Sequence, residues 1–562
     1  MDAASEPTSH LFPQKRRWTK RRNALLAALA VAVLGINLAA SLYLANTQPG
    51  DAAVYKQITL NTMNRGVYST NLEPPYDPTL VRLPGYPMFL AGIYSIFGKG
   101  NDLAVRVIQA LLHFATAILA SLLAWNWLPG KRRRRVAAVW TFVLTALCPF
   151  TVSYTAVLLT EVPAIFLMTA MTLAGTYAIK SDDRIRSAMW WALSGFAAGL
   201  AVEMRPDSGL YALGAGLTLV LAAVLKRPIR PALTSAIWQG AIFSLIFVLV
   251  LTPWTIRNYR VFGLFQPIPP AHANMPDEYV PLGYDQWLKT WITDVRYVNT
   301  MEWSLGQYRI DMKWIPDWAF ANDDERQRVA SLIDQYNNSD PDHPINKVEE
   351  KPSDQIDSTD EQASDDDSDD DKHDADNPED SANEEHADQD EQLDLKITPD
   401  VDAGFEQIAR ERIKREPFKF YVVLPATRMA TMWFDTHSDF YPFSGQLFPV
   451  KDLDNETYQN IWLPLFAGVV WVYTGLAIAG ALFLAFTRRR SSLLWLAMIL
   501  LITIPRLIFL GTLENPEPRY LIEYFVFAAV LAGSALSRIS VRCGGGRLNI
   551  SWYYGRERRG RN

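Results

Sequence analysis

The chain has 562 residues, of which 49% are hydrophobic, and its formal net charge is −6. Twenty of the 60 acidic residues lie between Asp354 and Asp394 with a single lysine among them, so the rest of the chain is basic, at +13. The two cysteines, Cys148 and Cys543, are far apart and argue against a disulfide framework or a cysteine-based metal site. No His-x-x-His, Cys-x-x-Cys, P-loop or Gly-x-Ser-x-Gly pattern occurs, which leaves nucleotide-driven and serine-hydrolase chemistry without support.

The N-terminus carries six basic residues between Lys15 and Arg22, followed by an apolar run at about 24–45. About 22 helical residues, each rising 1.5 Å, span the core of a bilayer. The apolar region of a cleaved signal peptide is usually about 7–15 residues long, which is shorter than this run. We therefore expect a retained signal-anchor helix.

Apolar runs of spanning length recur near 24–45, 103–128, 136–156, 161–179, 187–204, 208–225, 233–253, 460–486, 491–511 and 519–537. With ten spans, the clusters of arginine and lysine all fall on one side of the membrane. The positive-inside rule then places both termini in the cytosol. The sequence therefore predicts an all-α integral membrane protein with about ten transmembrane helices.

This topology also predicts the domain organisation. The predicted segments are a cytosolic basic tail at 1–23, a membrane core at 24–255 with a first outer loop at 46–102, an outer Trp-rich region at 256–339, a disordered acidic insert at 340–395, an outer helical region at 396–459, C-terminal transmembrane helices at 460–537, and a second basic tail at 538–562. In the first outer loop we expect a helix with Asp51 as its N-cap and Gly66 as its C-cap. The tryptophans of 256–339 are typical of an amphipathic layer at the lipid interface, and 405–413 has a helical pattern.

Ionisable residues collect at the outer ends of the predicted spans. The arginines are Arg82, Arg205, Arg257, Arg506 and Arg519, and the acids are Asp51, Glu161, Glu203, Asp207, Glu514 and Glu517. Charges near apolar helix ends are costly unless they are paired or used. Because the planar guanidinium donates two parallel hydrogen bonds to phosphate, these arginines indicate a pocket for a phosphate headgroup whose tail lies in lipid.

Structural interpretations of the same residues stay open. Asp51 suits a helix N-cap, and Glu161 suits the turn of a helical hairpin. Other pairs have the composition of helix ends or interfacial anchors: Arg205-Pro206, Pro253-Trp254 and Arg519-Tyr520. The acidic tract fits a solvated linker, with calcium binding as the alternative.

Six short elements occur in a fixed order along the membrane portion. They are Gly50-Asp51-Ala-Ala-Val-Tyr55, Arg82-Leu-Pro-Gly-Tyr86-Pro-Met-Phe-Leu-Ala91, Leu159-Thr160-Glu161, Gly199-Leu-Ala-Val-Glu-Met-Arg205-Pro206, Pro253-Trp254-Thr-Ile-Arg257-Asn258 and Pro518-Arg519-Tyr520. In this combination the chain resembles the C-type (GT-C) polyprenyl-phosphate-sugar glycosyltransferases, the protein O-mannosyltransferase and aminoarabinose-transferase-like family. The resemblance covers about 20–260 and, more weakly, 460–537, whereas 265–459 shows no family pattern.

The resemblance implies many transmembrane helices, a catalytic first outer loop, a soluble outer domain and a polyprenyl-phosphate donor that carries one sugar. It implies that Asp51 is the catalytic base and Glu161 a second site acid. The candidate substrate-binding residues are Tyr55, Arg82, Tyr86, Arg205, Arg257, Arg519 and Tyr520. No metal is demanded, although a divalent ion between Asp51 and Glu161 stays open as an alternative.

The implied chemistry is an inverting displacement. A carboxylate takes the proton of an acceptor hydroxyl as that hydroxyl attacks the anomeric carbon, which contributes roughly 10²–10⁴-fold. Arginines stabilise the charge that gathers on the leaving phosphate. The acceptor is a hydroxyl of a protein, a lipid or a cell-envelope glycan, and no nucleic acid is involved. The predicted location is a bacterial inner (plasma) membrane with the site facing outward, and an endoplasmic reticulum fits the same topology.

Two other functions use the same features. A non-catalytic transporter or flippase of lipid-linked sugars also needs arginines and many helices, but it should have polar or broken helices at mid-membrane. An envelope scaffold would use the acidic region as its contact surface, which leaves the Asp51 and Arg82 elements unexplained. Because the charges collect at one face, the pattern favours an enzyme.

Overall fold

The computed structural model describes residues 13–43, 50–270, 272, 274–276, 278–340, 395–434, 457–487 and 489–543. Regular structure in these ranges is helical, with no strand, which confirms the predicted all-α class. Seven helices within them are long and apolar enough to cross a membrane: Asn23–Leu42, Asp102–Trp127, Glu161–Lys180, Pro206–Leu225, Ile229–Phe262, Pro464–Phe486 and Arg490–Gly511. The chain is therefore a multi-pass integral membrane protein.

The α-helices are numbered in chain order. They are α1 (Pro13–Tyr43), α2 (Gly50–Arg65), α3 (Gly85–Phe97), α4 (Asp102–Trp127), α5 (Lys131–Ala146), α6 (Pro149–Ser153), α7 (Glu161–Lys180), α8 (Arg184–Met204), α9 (Gly209–Leu225), α10 (Ile229–Phe262), α11 (Leu282–Lys289), α12 (Arg296–Val298), α13 (Asp323–Asn337), α14 (Pro399–Arg415), α15 (Leu424–Phe434), α16 (Thr457–Phe486), α17 (Arg490–Gly511) and α18 (Tyr524–Cys543). Short 3₁₀ turns at Pro206–Ser208 and Pro518–Leu521 precede α9 and α18.

Three predicted spans differ from the helices that form. The run at 136–156 is divided, because Pro149 has no amide hydrogen and disfavours helix in the residue before it, so α5 ends at Ala146 and α6 begins at Pro149. The runs at 187–204 and 519–537 correspond to α8 and α18, which are not among the seven spanning helices. Of these two, α18 begins only at Tyr524, after the 3₁₀ turn.

The chain divides into two compact units. The membrane unit comprises residues 1–280 and 425–562, and the other unit comprises 281–424; we name it the outer unit because it falls within the predicted outer regions. In the membrane unit, the last helix, α18, packs against α5, α16 and α4. Residues 521–535 are all buried, as expected for a helix that is apolar on every face.

The first outer loop contains the expected helix. Helix α2 covers Gly50–Arg65, so Asp51 lies inside its first turn, where a negative charge is favourable, and the prediction that Asp51 is the N-cap is wrong. Gly66 follows with φ of +72° and donates its amide to Thr62 O at 3.1 Å, so it ends the helix in the left-handed conformation that glycine adopts readily.

The tryptophans of the outer unit correct one prediction. Trp287 and Trp291 are buried in a hydrophobic core of this unit, and the Trp287 ring lies 5.0 Å from that of Phe405. The expected layer at the lipid interface is therefore wrong for these two, because their large apolar area fills the core instead. Trp303 and Trp318 are exposed.

Helix α14 confirms the predicted helix at 405–413 and supplies Phe405 and Ile408 to the same core. Residues 341–394, which make up nearly all of the predicted acidic insert, lie outside the described residues.

Close helix contacts predict a stability effect at one glycine. A Cβ at Gly214 of α9 would lie 2.3 Å from Leu501 O of α17, whereas a Cβ at Gly216 of the same helix would meet nothing within 4 Å. We expect Gly214→Ala to destabilise the protein by about 1–3 kcal/mol through overpacking. Gly216→Ala should be neutral or slightly stabilising. Thermal unfolding in detergent, followed by tryptophan fluorescence, measures both, and equal melting temperatures would contradict this α9–α17 packing.

Candidate active site

Helix α2 brings Asp51 and Tyr55 to one face. The two residues are four positions apart, so their side chains lie one above the other on the helix. The Tyr55 ring makes an edge contact with Tyr86 of α3, with ring centroids 5.2 Å apart. Burial raises the pKa of Tyr55 to about 12, and the nearby charges of Arg82 and Asp51 act on it in opposite directions. Tyr55 therefore keeps its proton at neutral pH and is a hydrogen-bond donor beside Asp51.

The carboxylate of Asp51 lies between two guanidinium groups. Arg82 Nη2 donates to Asp51 Oδ1 at 2.9 Å, and Arg519 Nη2 lies 3.4 Å from Oδ2. The Asp51 and Arg82 side chains keep 30% and 31% of their surface exposed, so this pair can be reached from solvent. Arg519 also pairs with its neighbour Glu517. Each carboxylate oxygen of Asp51 thus faces one guanidinium group, and an incoming anion can replace Asp51 as the partner of either arginine.

A set of backbone contacts holds the Arg82 segment in place. Tyr68 donates its hydroxyl to the carbonyls of Arg82 and Leu83, at 3.1 and 3.0 Å. A Cβ at Gly85 would lie 2.4 Å from Glu203 O of α8, so only glycine permits this approach of α3 to α8. The Arg-Leu-Pro-Gly element is therefore a rigid support for the guanidinium that meets Asp51.

The second predicted acid is deeply buried and pairs with a different arginine. Glu161 opens α7, and its Oε1 accepts from Arg205 Nη1 at 2.7 Å. Arg205 follows the last residue of α8, and its Nε lies 3.5 Å from Asp207 and 3.7 Å from Glu523. The Tyr520 ring lies 5.3 Å from this guanidinium and 5.6 Å from that of Arg519, within cation–π range.

Arg506 completes this buried network from α17. It is 0% exposed, and its Nη2 lies 2.5 Å from Asp207 Oδ2. Its Nη1 lies 3.6 Å from Glu523 and donates to Tyr520 O at 2.6 Å. The hydroxyl of Tyr211 makes a short hydrogen bond to Glu523. Two guanidiniums thus meet three carboxylates in a site where unpaired charge would be very costly.

The structure groups the predicted site residues unequally. Asp51, Tyr55, Arg82, Arg519 and Tyr520 lie together, Arg205 adjoins them through the ring of Tyr520, and Glu161 pairs with Arg205. Tyr86 is buried and donates to Gln109 Oε1 at 3.0 Å, while its ring contacts Tyr55.

Arg257 is placed differently from the other predicted arginines. Its Nη1 donates to Thr79 O at 2.7 Å, and its guanidinium lies 4.8 Å from the Trp254 ring and 5.4 Å from the Tyr68 ring. It thus supports the segment that leads to Arg82. A divalent ion between Asp51 and Glu161 stays a prediction, since in this structure the two carboxylates pair with different arginines.

Several partners in the network were not among the predicted site residues. Arg506 and Asp207 were noted as outer charges, but their pairing joins residues 299 positions apart, which no local pattern shows. Glu523 was missed altogether. Its signal was an acid within the apolar run 519–537, since an ionisable residue in such a run is expensive and usually has a role.

Residues 78–254, somewhat under a third of the chain, match the model of a family described as dolichyl-phosphate-mannose-protein mannosyltransferase. No curated protein matches the chain.

Solved structures with similar folds share little sequence with it. The archaeal oligosaccharyltransferase AglB from Archaeoglobus fulgidus, in complex with an inhibitory peptide and a dolichol-phosphate, is 13% identical with a TM-score of 0.45, and the match covers 93% of this chain and 53% of AglB. ArnT from Cupriavidus metallidurans, bound to undecaprenyl phosphate, is 12% identical with a TM-score of 0.36 and coverages of 92% and 78%. Arabinosyltransferase EmbB from Mycobacterium smegmatis is 11% identical, with a TM-score of 0.30 and coverages of 98% and 47%. The chain thus spans about half the length of AglB.

The contrast between the exposed and buried arginines predicts different effects on stability. Arg506→Met should lower the free energy of unfolding by about 3–5 kcal/mol, because it leaves buried carboxylates without a cation. Arg82→Met removes a partly exposed pair and should cost less than about 1 kcal/mol. Thermal and denaturant unfolding in detergent measure the loss of stability in each variant. Equal losses would contradict the division of the site into a partly exposed half, around Asp51 and Arg82, and a buried half, around Arg506.

Proposed function

We propose that this chain, which its residues 78–254 place among the C-type polyprenyl-phosphate-sugar glycosyltransferases, moves one sugar from a polyprenyl-phosphate donor to a hydroxyl acceptor on the extracytosolic side of a membrane. The resemblance found in the sequence is confirmed by that family match. The same match supports a membrane glycosyltransferase that uses a lipid-linked donor. The direction of the site, the inverting course and the base are parts of the proposal.

One observation carries the proposal: the carboxylate of Asp51 is partly exposed, lies in the first turn of α2 and is held between the guanidiniums of Arg82 and Arg519. A carboxylate can accept the proton of an attacking hydroxyl. Guanidiniums can bind the oxygens of a phosphate in a bidentate manner. The same three side chains therefore bring a base and phosphate ligands to one place.

In the proposed reaction an acceptor hydroxyl attacks the anomeric carbon, and its proton passes to Asp51. The bond between the anomeric carbon and the phosphate oxygen breaks, and the electron pair leaves with polyprenyl phosphate. Arg82 and Arg519 then gain charge-assisted hydrogen bonds to the phosphate as its negative charge grows, which favours the transition state over the ground state. Because the nucleophile enters opposite the leaving group, the anomeric configuration inverts.

Glu161 and Arg205 have a supporting place in this proposal. Their ion pair is buried, and Tyr520 lies against the guanidiniums of both Arg205 and Arg519. Arg205 thus couples the position of Glu161 to that of the proposed phosphate ligand Arg519 through the ring of Tyr520. We propose Glu161 as an orienting acid and Asp51 as the base, with a protein, lipid or cell-envelope glycan as the acceptor.

The location proposed for the enzyme is a bacterial inner membrane with the site facing outward. It is supported by the basic residues at the start of α1, at the start of α5, at the end of α7 and the start of α8, and after α18, which the positive-inside rule assigns to the cytosol. A transporter of the same lipid would need charges along a path through the membrane. Here Arg82, Arg205 and Arg506 instead pair with acids near the ends of helices.

Replacing Asp51 by Asn should abolish turnover while the protein stays folded. We expect sugar release from radiolabelled polyprenyl-phosphate mannose to fall by roughly 10²–10⁴-fold, because the amide cannot take the proton. Asp102→Asn is the matched control. Asp102 of α4 pairs at 2.6 Å with Lys56 of α2, the helix that carries Asp51, and its side chain is 32% exposed. Equal turnover by the Asp51 variant and wild type would move the base to Glu161. Tight donor binding without turnover by wild type would favour the transporter.

Replacing Arg82 by Gln should weaken the binding of the lipid phosphate. The loss of a charge-assisted hydrogen bond is worth about 1.5–3 kcal/mol, so the Kd for undecaprenyl phosphate should rise at least about tenfold. Arg65→Gln is the control, because Arg65 ends α2 and stacks on Tyr76, 3.8 Å from its ring centroid. Binding is measured by inhibition of sugar release and by thermal stabilisation, and an unchanged Kd would remove Arg82 from the phosphate site.

A further inference from the structure

The membrane unit contains a buried acid that the network described above does not use. Glu203, in the last turn of α8, is 6% exposed, and its Oε2 is enclosed without a hydrogen bond. Among the residues that the structure describes, none forms an ion pair or a hydrogen bond with this carboxylate. A buried carboxylate in this state is costly and is found mainly where a site needs it.

An unpaired donor lies on the neighbouring helix. Trp254 of α10 is also 6% exposed, and its Nε1 has no hydrogen-bond partner within the described ranges. A Cβ at Gly199 of α8 would meet Val250 of α10 at 2.7 Å. Glu203 and Trp254 each follow these contacting residues by four positions, one helical turn further along the same interface. The acceptor and the donor therefore lie on the same α8–α10 interface, Glu203 in the last turn of α8 and Trp254 about two turns before the end of α10.

Tyr68 connects this pair to the candidate active site. Its ring packs against Trp254 with centroids 5.0 Å apart. Burial raises the pKa of Tyr68 well above its usual value, and the charge of Glu203 raises it further, so Glu203 lies within electrostatic reach of the phenol. The same phenol donates to the carbonyl of Arg82, whose guanidinium meets Asp51.

We propose that Glu203 and Trp254 form a subsite for one hydroxyl of the transferred sugar, with the carboxylate accepting from that hydroxyl and the indole N–H donating to it. A hydroxyl is both donor and acceptor, so it satisfies both unpaired groups at once. This assignment rests on the proposed function and adds the residues that select the sugar.

The test compares donors that lack single hydroxyls. Purified protein in detergent is given undecaprenyl-phosphate mannose and its 2-, 3-, 4- and 6-deoxy forms, and kcat/KM is measured for wild type, Glu203→Leu and Trp254→Phe. We expect wild type to discriminate against one deoxy donor by at least about tenfold, because a site built for a hydroxyl rejects the analogue that lacks it. In both variants that ratio should fall toward one, while the ratios for the other deoxy donors stay unchanged.

Trp191→Phe is the matched control. Trp191 also lies on α8, and its Nε1 is likewise buried without a partner among the described residues, but its ring packs on Phe243, more than three turns from Glu203. It should leave every donor ratio as in wild type. If the Glu203 and Trp254 variants lower kcat/KM for all donors by one common factor, the pair holds water or serves packing only, and the subsite is overturned.

A second readout separates this subsite from the proposed reaction. If wild type turns over none of these donors, the proposed function fails. The subsite is then tested by thermal stabilisation. Undecaprenyl-phosphate mannose should then raise the melting temperature of wild type more than undecaprenyl phosphate does, and Glu203→Leu should remove the difference. Equal stabilisation of wild type by both lipids would overturn the subsite.

Discussion

The buried ion network around Arg205 and Arg506 is the constraint on which the membrane unit depends. It joins the start of α7, the junction of α8 and α9, the C-terminal part of α17 and the residue before α18. Charges with so little access to water persist only when their partners are held in place. The network therefore fixes how five helices approach one another, and the partly exposed pair of Asp51 and Arg82 lies next to this rigid network.

The division between the buried and exposed halves of the site has a chemical meaning. Arg506 and Glu523 are closed to solvent and cannot exchange partners with a ligand. Arg82, Arg519 and Asp51 are partly open, and their ion pairs can be replaced by contacts to an incoming anion. Tyr520 lies where the halves meet, with guanidiniums of both against its ring. Different arginines of one cluster thus have different tasks: Arg506 holds the helices rigidly, and Arg82 and Arg519 can exchange partners with a ligand.

The sequence predicted the helical class, helix α2 and the neighbourhood of Asp51, Tyr55 and Arg82, because these follow from apolar runs, local turn chemistry and short motifs. It did not predict that Trp287 would fill the core of an outer unit, since tryptophan suits both a core and an interface. It also missed Glu523, because the partners of a buried charge are set by helix packing across hundreds of residues.

The network is assembled from two distant stretches of chain. Glu161, Arg205 and Asp207 precede the outer unit, whereas Arg506 and Glu523 follow it, and α18 fills its place among α4, α5 and α16 last. During synthesis the early helices therefore hold two carboxylates and one guanidinium until the C-terminal helices arrive. In an unfinished or truncated chain, Asp207 therefore lies inside the apolar bundle without its ion pair to Arg506, which is a chemical difference between that chain and the completed protein.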